Sequence, residues 1–203
     1  MTETDLELSG GRTLHVYDTG TDDAAGRLTV FWYHGTPNIG APPEPLFATA
    51  ARLDIRWVSY DRPGYGGSTP YRDRDVASAT ADVSSVADSL GIDRFAVIGH
   101  SGGGSHALTC VALLPDRVLG VVSVAGLAPF DAEGLGWFAG MAASGVASLR
   151  VAAEGRAAKE RYEASGAEYT RNSPRQIVPH SLARGGRGWP TSSVQPWKLG
   201  WAG

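Results

Sequence analysis

The sequence of 203 residues contains one cysteine and has little net charge. Cys110 alone cannot form an intramolecular disulfide or a zinc site of several cysteines, and its apolar neighbours predict a buried side chain. A formal net charge of −3 gives no signal for a nucleic-acid or lipid surface. No apolar run reaches the roughly 18 residues of a membrane-spanning helix. The start, Met1-Thr2-Glu3-Thr4-Asp5, is acidic, unlike a leader peptide. These absences predict a cytoplasmic protein with neither nucleic-acid nor membrane partners.

Short apolar segments alternate with helical segments along the first 130 residues. Apolar runs predict strands at residues 28–33, 55–60, 95–98 and 118–124, after an N-terminal hairpin of residues 5–11 and 12–18. Helices are predicted at residues 45–53, at 76–90 from apolar residues spaced by three and four, and from residue 103 to Leu114. Strands that are apolar on both faces predict a mostly parallel sheet with helices on both faces. We therefore predict an α/β core over residues 1–130.

Three loops follow strands of this predicted sheet, at residues 34–37, 61–67 and 99–103. The carboxyl ends of parallel strands meet at one rim, which is where such sheets carry their chemistry. The last loop, Gly99-His100-Ser101-Gly102-Gly103, matches the G-x-S-x-G pattern in which a strained strand–turn–helix presents a nucleophilic serine. The pattern predicts Ser101 as the nucleophile and the Gly102 N–H as an oxyanion donor. His100 is predicted to be a supporting neighbour of Ser101 and not its base.

The other two loops carry supporting roles in this interpretation. In the sequence His34-Gly35-Thr36-Pro37, the Thr36 N–H is the predicted second oxyanion donor, and Gly35 lets the backbone approach. His34 is predicted to brace the loop by hydrogen bonding. In sites with the G-x-S-x-G pattern the catalytic acid follows the serine in the chain, whereas Asp61 precedes it. We therefore predict a structural Asp–Arg or Asp–backbone contact for Asp61.

Together, H-G-x-P at residues 34–37, D-x-P-G-x-G-x-S at 61–68 and G-H-S-x-G-G at 99–104 resemble the α/β-hydrolase family over residues 6–169. The resemblance is to its small-molecule serine branch, and it implies an eight-stranded sheet with a helical lid after the sixth strand. It also implies a serine acyl-enzyme on a small ester, lactone or amide-like substrate, without cofactor or metal. Serine at the elbow argues against the dehalogenase and epoxide-hydrolase branches. Acyl transfer to an acceptor other than water stays open.

The family's catalytic acid follows its seventh strand and its histidine follows the eighth, and no segment after Tyr169 resembles either. Beyond the elbow the sequence has two histidines, His106 on the elbow helix and His180 in an aperiodic segment. Asp131 is the one acid in a plausible alternative position. The acid and histidine are therefore predicted to be missing, and the alternative function is a catalytically inactive, truncated remnant or a ligand-binding protein.

The last third of the sequence changes in character. Residues 131–170 predict a partial helical lid, in which Trp137, Phe138 and Met141 either line an apolar pocket or pack in the core. Residues 171–203 hold five basic residues and no acid, and show no helical or strand period. A basic docking arm is one explanation. We also back-translated this segment with any base allowed at third codon positions, and then read it one nucleotide earlier. The shifted frame permits a continuation that contains acids and has helical periodicity, so we favour a non-native reading frame for residues 171–203.

Overall fold

One sheet of six strands organises the computed structural model, which describes residues 1–20, 27–130, 132–141 and 143–165. The strands are β1 (Thr2–Glu7), β2 (Thr13–Asp18), β3 (Leu28–Tyr33), β4 (Ile55–Tyr60), β5 (Phe95–His100) and β6 (Val118–Val124). Their order across the sheet is β1-β2-β4-β3-β5-β6. The two strands of the N-terminal hairpin pair antiparallel, and β2 pairs antiparallel with β4, whereas β4, β3, β5 and β6 run parallel. The mostly parallel sheet predicted from the sequence is confirmed.

Helices cover both faces of the sheet, as predicted. The first unit contains a 3-10 turn (Glu44–Leu46) and the helices α1 (Phe47–Arg52), α2 (Ser78–Ser89) and α3 (Gly102–Leu113). Alternate residues of β3 point to opposite faces, so Val30 packs with Trp57 and Ala50 of α1. Phe31 and Tyr33 face the larger cluster with α2 and α3. Cys110 of α3 is fully buried in that cluster, as predicted.

Three elements differ from the sequence-based prediction, each for a physical reason. The first strand of the hairpin is Thr2–Glu7 and not residues 5–11, because Thr2–Glu7 pair with β2 while residues 8–11 form the turn. β5 continues past Ile98 to His100, because Gly99 and His100 keep pairing with β6. The helix predicted at residues 45–53 instead begins as the 3-10 turn, which has a proline in its first positions, and becomes α-helical at Phe47. A proline has no backbone N–H and therefore suits the start of a helix.

The chain divides into two compact units, residues 1–140 and 141–203. In the first, Trp137 and Phe138 pack against Phe130, with ring centroids 5.1 and 5.8 Å from it. The second contains the helices α4 (Ala143–Ala153) and α5 (Arg156–Ser165), which agree with the helical character predicted there. Residues 171–203 with His180, and also Asp131, lie outside the described residues. Within the described ranges, no helix has the length and apolarity that a bilayer crossing requires.

Candidate active site

Ser101 lies in the sharp turn between β5 and α3. Its backbone has φ 53° and ψ −122°, a conformation that non-glycine residues rarely adopt and that stores strain. The Ser101 N–H donates to the carbonyl of Val124 at 2.9 Å, and the Gly104 N–H donates to the Ser101 carbonyl at 2.9 Å. These bonds to β6 and to the first turn of α3 hold the strained residue in place.

Glycines around Ser101 permit a close approach of strand, turn and helix. A Cβ at Gly99 would lie 2.2 Å from the carbonyl oxygen of Gly103, and a Cβ at Gly103 would lie 2.1 Å from that of Tyr33. Real Cβ atoms do not tolerate such distances. A Cβ at Gly35 would lie 2.9 Å from the Cβ of Ser101, so the loop after β3 meets the elbow at this point.

Two backbone N–H groups near this contact point are unused. Gly102 begins α3, so its N–H has no acceptor within the helix, and Thr36 follows Gly35 on the exposed side of the loop. Within the described part of the chain, neither N–H donates a hydrogen bond. Free N–H groups at a helix start favour negative charge.

His34 is buried and joins the loop after β3 to the loop after β4. Its Nε2 accepts the Arg62 N–H at 3.0 Å, so Nδ1 carries the proton and donates to the carbonyl of Gly35 at 2.9 Å. Burial, assisted by the charge of Arg62, lowers the pKa of His34 to about 4. The imidazole is therefore neutral at pH 7.

Asp61 makes the Asp–backbone contact that was one of the two structural roles predicted for it. Its fully buried carboxylate accepts from the Gly40 N–H at 2.5 Å, from the Gly67 N–H at 2.8 Å and from the Tyr17 hydroxyl. The close return of the chain requires glycine at position 66, where φ is +48° and a Cβ would overlap the Asp61 carboxylate. The Asp–Arg alternative is wrong, because Arg62 turns away to other partners.

The guanidinium of Arg62 forms a group of contacts that the sequence analysis missed. It donates to His106 Nε2 at 3.0 Å and to Thr36 Oγ1 at 3.3 Å, and it lies over the ring of Tyr65, 4.7 Å from the centroid. The Tyr65 hydroxyl is 2.7 Å from Thr36 Oγ1. The sequence did show a basic residue near the start of a rim loop. It could not show the contact between Arg62 and His106, because the two residues are 44 positions apart in the chain.

The Ser101 hydroxyl has no hydrogen-bonded base among the described residues. His100 is exposed, and its ring stacks on Trp32 with centroids 6.2 Å apart. His106 accepts from Arg62, and burial, followed by that positive charge, lowers its pKa to about 4. In the same described ranges, no group of three or more histidine, cysteine or acidic side chains is arranged to hold a metal ion.

Comparison with known proteins identifies the family. A family model described as alpha/beta hydrolase fold matches residues 29–180. A protein of Mycobacterium tuberculosis named Epoxide hydrolase B is 32% identical over 128 residues, which are 62% of this chain and 35% of that protein. A Proline iminopeptidase of Neisseria meningitidis is 31% identical over 120 residues, 58% of this chain and 37% of that protein. The solved structure of a CIB-like hydrolase from Thermoplasma acidophilum superposes with a TM-score of 0.53 at 22% identity, covering 62% of each chain.

The strand–turn–helix geometry and the family match define this chain as a protein of α/β-hydrolase fold. The chain belongs to the α/β-hydrolase family. It spans little more than a third of the length of the two curated relatives.

Proposed function

We propose that Ser101 is the nucleophile of a hydrolase that acts on a small ester, lactone or amide-like substrate. The observation that carries this proposal is the backbone of Ser101, a non-glycine residue held at φ 53° between β5 and the first turn of α3. Strain of this kind persists only where the surroundings enforce it, and it is found at catalytic sites. A serine that served only to cap the start of α3 would not need this strained backbone, and the Ser101 side chain makes no capping hydrogen bond.

The proposed reaction is acyl transfer through a covalent intermediate. The Ser101 oxygen attacks the acyl carbonyl, and the negative charge that develops on the carbonyl oxygen is stabilised by the N–H groups of Gly102 and Thr36. The proton of the Ser101 hydroxyl leaves with the alcohol or amine leaving group. Water then cleaves the acyl-enzyme, giving the carboxylic acid and restoring the Ser101 hydroxyl. Gly35 keeps the two loops close enough for both donors to serve one oxygen, His34 braces the loop that holds Thr36, and exposed His100 flanks Ser101.

A serine nucleophile also decides between two reaction types that the named relatives suggest. One relative is named an epoxide hydrolase and another an iminopeptidase. The epoxide-hydrolase branch that this family resemblance brings in attacks through a carboxylate at the elbow, whereas position 101 holds a serine hydroxyl. We therefore favour acyl chemistry, with transfer to an acceptor other than water as a variant of the same intermediate.

The second candidate function is a catalytically inactive or ligand-binding protein. It is favoured by one observation, that no base is hydrogen-bonded to Ser101 within the described residues. A serine hydroxyl without a positioned base is a weak nucleophile. In this account, residues 131–170 are a partial lid, residues 171–203 are read in a non-native frame, and no acid–histidine pair reaches Ser101 within the described residues.

A fluorophosphonate probe separates the two candidates, because it reacts with activated serines. The proposal expects a single adduct on the peptide that contains Ser101, identified by mass spectrometry. Ser101→Ala should abolish the adduct. Ser105→Ala, which changes a serine one turn further along α3, should leave it unchanged.

The contrary results are equally specific. No adduct on Ser101 after prolonged incubation with the folded chain would favour the inactive candidate. An adduct that persists in the Ser101→Ala chain would show that another residue reacts, and would end the assignment of Ser101.

A further inference from the structure

Arg62 is a buried cation without an anionic partner. Its residue is 9% exposed, yet no carboxylate of the described residues lies within ion-pair distance. The neighbouring Asp61 is occupied by the N–H groups of Gly40 and Gly67. Because burying a charge is costly unless it is paired, this arrangement needs an anion.

Other arginines of the same sheet region show the usual solution. The Nη2 atom of Arg12 lies 2.9 Å from Asp82, and that of Arg56 lies 2.6 Å from Asp18. Arg117 pairs with Asp88 at 2.8 Å. Arg62 is buried, whereas each arginine of these pairs is partly exposed. Arg62 also differs from them because its contacts among the described residues are all with neutral groups.

The neutral contacts of Arg62 leave donor capacity unused. Its Nη1 donates to His106, its Nη2 donates to Thr36 over a long 3.3 Å, and its Nε has no partner in the described part of the chain. Burial lowers the pKa of Arg62, and the nearby charge of Arg74 acts in the same direction.

The location of Arg62 connects this unmet need to the proposed site. Its Nη2 lies 4.0 Å from the position that a Cβ of Gly102, the residue after Ser101, would occupy. Arg62 also lines a small cavity with Arg74, Ser78 and His106. Two carboxylates of that cavity are already engaged, Asp82 with Arg12 and Asp75 with the N–H and hydroxyl of Ser78.

We propose that Arg62 is the centre of a carboxylate-binding subsite beside Ser101. A planar guanidinium matches a carboxylate with two parallel N–H···O bonds, and a bound carboxylate would supply the missing charge. Arg74 adds a second positive charge nearby. Its guanidinium lies 5.9 Å from the centroid of the Tyr65 ring, over which Arg62 also lies. As an extension that rests on the proposed function, the acyl substrate is an anionic ester or amide whose carboxylate Arg62 holds.

A thermal-shift titration of the full chain tests the subsite without requiring turnover. The probes are monomethyl succinate, which carries one carboxylate, and the neutral dimethyl succinate, at constant chloride-balanced ionic strength. We expect a saturable rise in Tm with the first probe and none with the second. Arg62→Gln should weaken binding roughly tenfold to a hundredfold, as expected for loss of hydrogen bonds to a charged group.

Controls separate this proposal from the fold and from the nucleophile. Arg117→Gln removes the same charge far from the cavity and should bind monomethyl succinate as the unchanged chain does. The Tm of Arg62→Gln without any anion serves as its own reference, so that stability lost with the His106 and Thr36 contacts is not counted as lost binding. Ser101→Ala should keep the carboxylate-dependent rise, so failed probe labelling and failed anion binding are distinguishable outcomes.

Three results would overturn the subsite. They are an equal rise in Tm with both probes, a rise with monomethyl succinate that Arg62→Gln does not reduce, and no rise with monomethyl succinate in the unchanged chain.

Discussion

β5 and β6 are neighbouring parallel strands of similar apolar sequence, yet their environments differ. Phe95 and Val97 of β5 are fully buried, because β3 and β6 flank the strand and helices cover it. In β6, Leu119 and Val122 are 48% and 51% exposed, and β5 is the one strand that pairs with it among the described residues. An apolar run therefore identifies a strand of the parallel sheet, but it does not identify how far that strand is covered.

The elbow depends on both of these strands. β5 delivers the chain to Ser101, and the carbonyl of Val124 at the end of β6 accepts the Ser101 N–H. A Cβ at Gly104 would lie 2.5 Å from the Ser123 hydroxyl, so the first turn of α3 is packed closely against the end of β6. Ser101 is thus held on one side by the buried strand and on the other by the exposed one.

The largest difference between the two strands is expected from matched glycine substitutions. Gly99→Ala in β5 would place a Cβ 2.2 Å from a backbone carbonyl, and should lower the free energy of unfolding by more than about 4 kcal/mol. Gly120→Ala in β6 has no atom within 4 Å of the new Cβ and should be neutral or stabilising by about 0.4–1 kcal/mol. Urea denaturation of both variants measures the difference. Equal losses would show that the elbow is not as closely packed as described.

The next largest effect is the acid sensitivity of the loop that His34 braces. The pKa of His34 is about 4 in the folded chain and near its ordinary 6.5 when unfolded, so the unfolded chain binds a proton first as pH falls. Stability from this neutral histidine is present above pH 6.5 and is lost down to about pH 4, on the order of 3 kcal/mol. His34→Gln should flatten that part of the stability–pH curve. An unchanged slope in the variant would contradict the buried, neutral state of His34.

A smaller effect is expected from a matched pair of valines. Val97→Ala removes two methyl groups from a fully buried position in β5 and should cost about 2 kcal/mol. Val122→Ala in β6, at 51% exposure, should cost less than about 0.5 kcal/mol. Chemical denaturation reports both values. If the Val122 variant lost as much as the Val97 variant, β6 would be covered in solution by something that the described residues do not show.

The smallest effect concerns the opposite edge of the sheet, where the β1–β2 hairpin carries charges instead of exposed apolar residues. Burial lowers the pKa of His15, but hydrogen bonds to Asp5 and Glu3 more than offset this, so the pKa is raised overall. Its contribution is present below pH 6.5 and is lost as pH rises through the folded value, with a size of about 0.5 kcal/mol or less because the partner carboxylates are exposed. His15→Gln should remove this weak dependence. If the unchanged chain became more stable relative to His15→Gln as pH rose, the raised pKa of His15 would be contradicted.

Local patterns in the sequence determine much of the fold. The strands at residues 28–33, 55–60 and 118–124 have the bounds that their apolar runs predict, because strands of a parallel sheet are apolar in sequence along their whole length. The end of β5 was missed because Gly99 and His100 look like turn residues, and only their pairing with β6 extends the strand. Pairing of this kind is tertiary information.

The candidate site was predictable to a smaller extent. The G-x-S-x-G pattern places Ser101 and Gly102 by local geometry, and His34-Gly35-Thr36 follows from its position after β3. The contacts of Arg62 with His106 and Tyr65 depend on how two loops and a helix meet, and no local pattern specifies that. The sequence identifies Asp61 as structural, but the choice between its arginine and backbone partners required the folded chain.

The central claim is that the strained elbow makes Ser101 a nucleophile that accepts an acyl group. The most direct measurement is acid quenching of the chain during reaction with p-nitrophenyl acetate, followed by peptide mapping of the acetyl group. We predict an acetyl group on the peptide that contains Ser101, its absence in Ser101→Ala, and its presence in Ser105→Ala. Acetylation confined to lysine or to other serines, with Ser101 unmodified in the folded chain, would contradict the account.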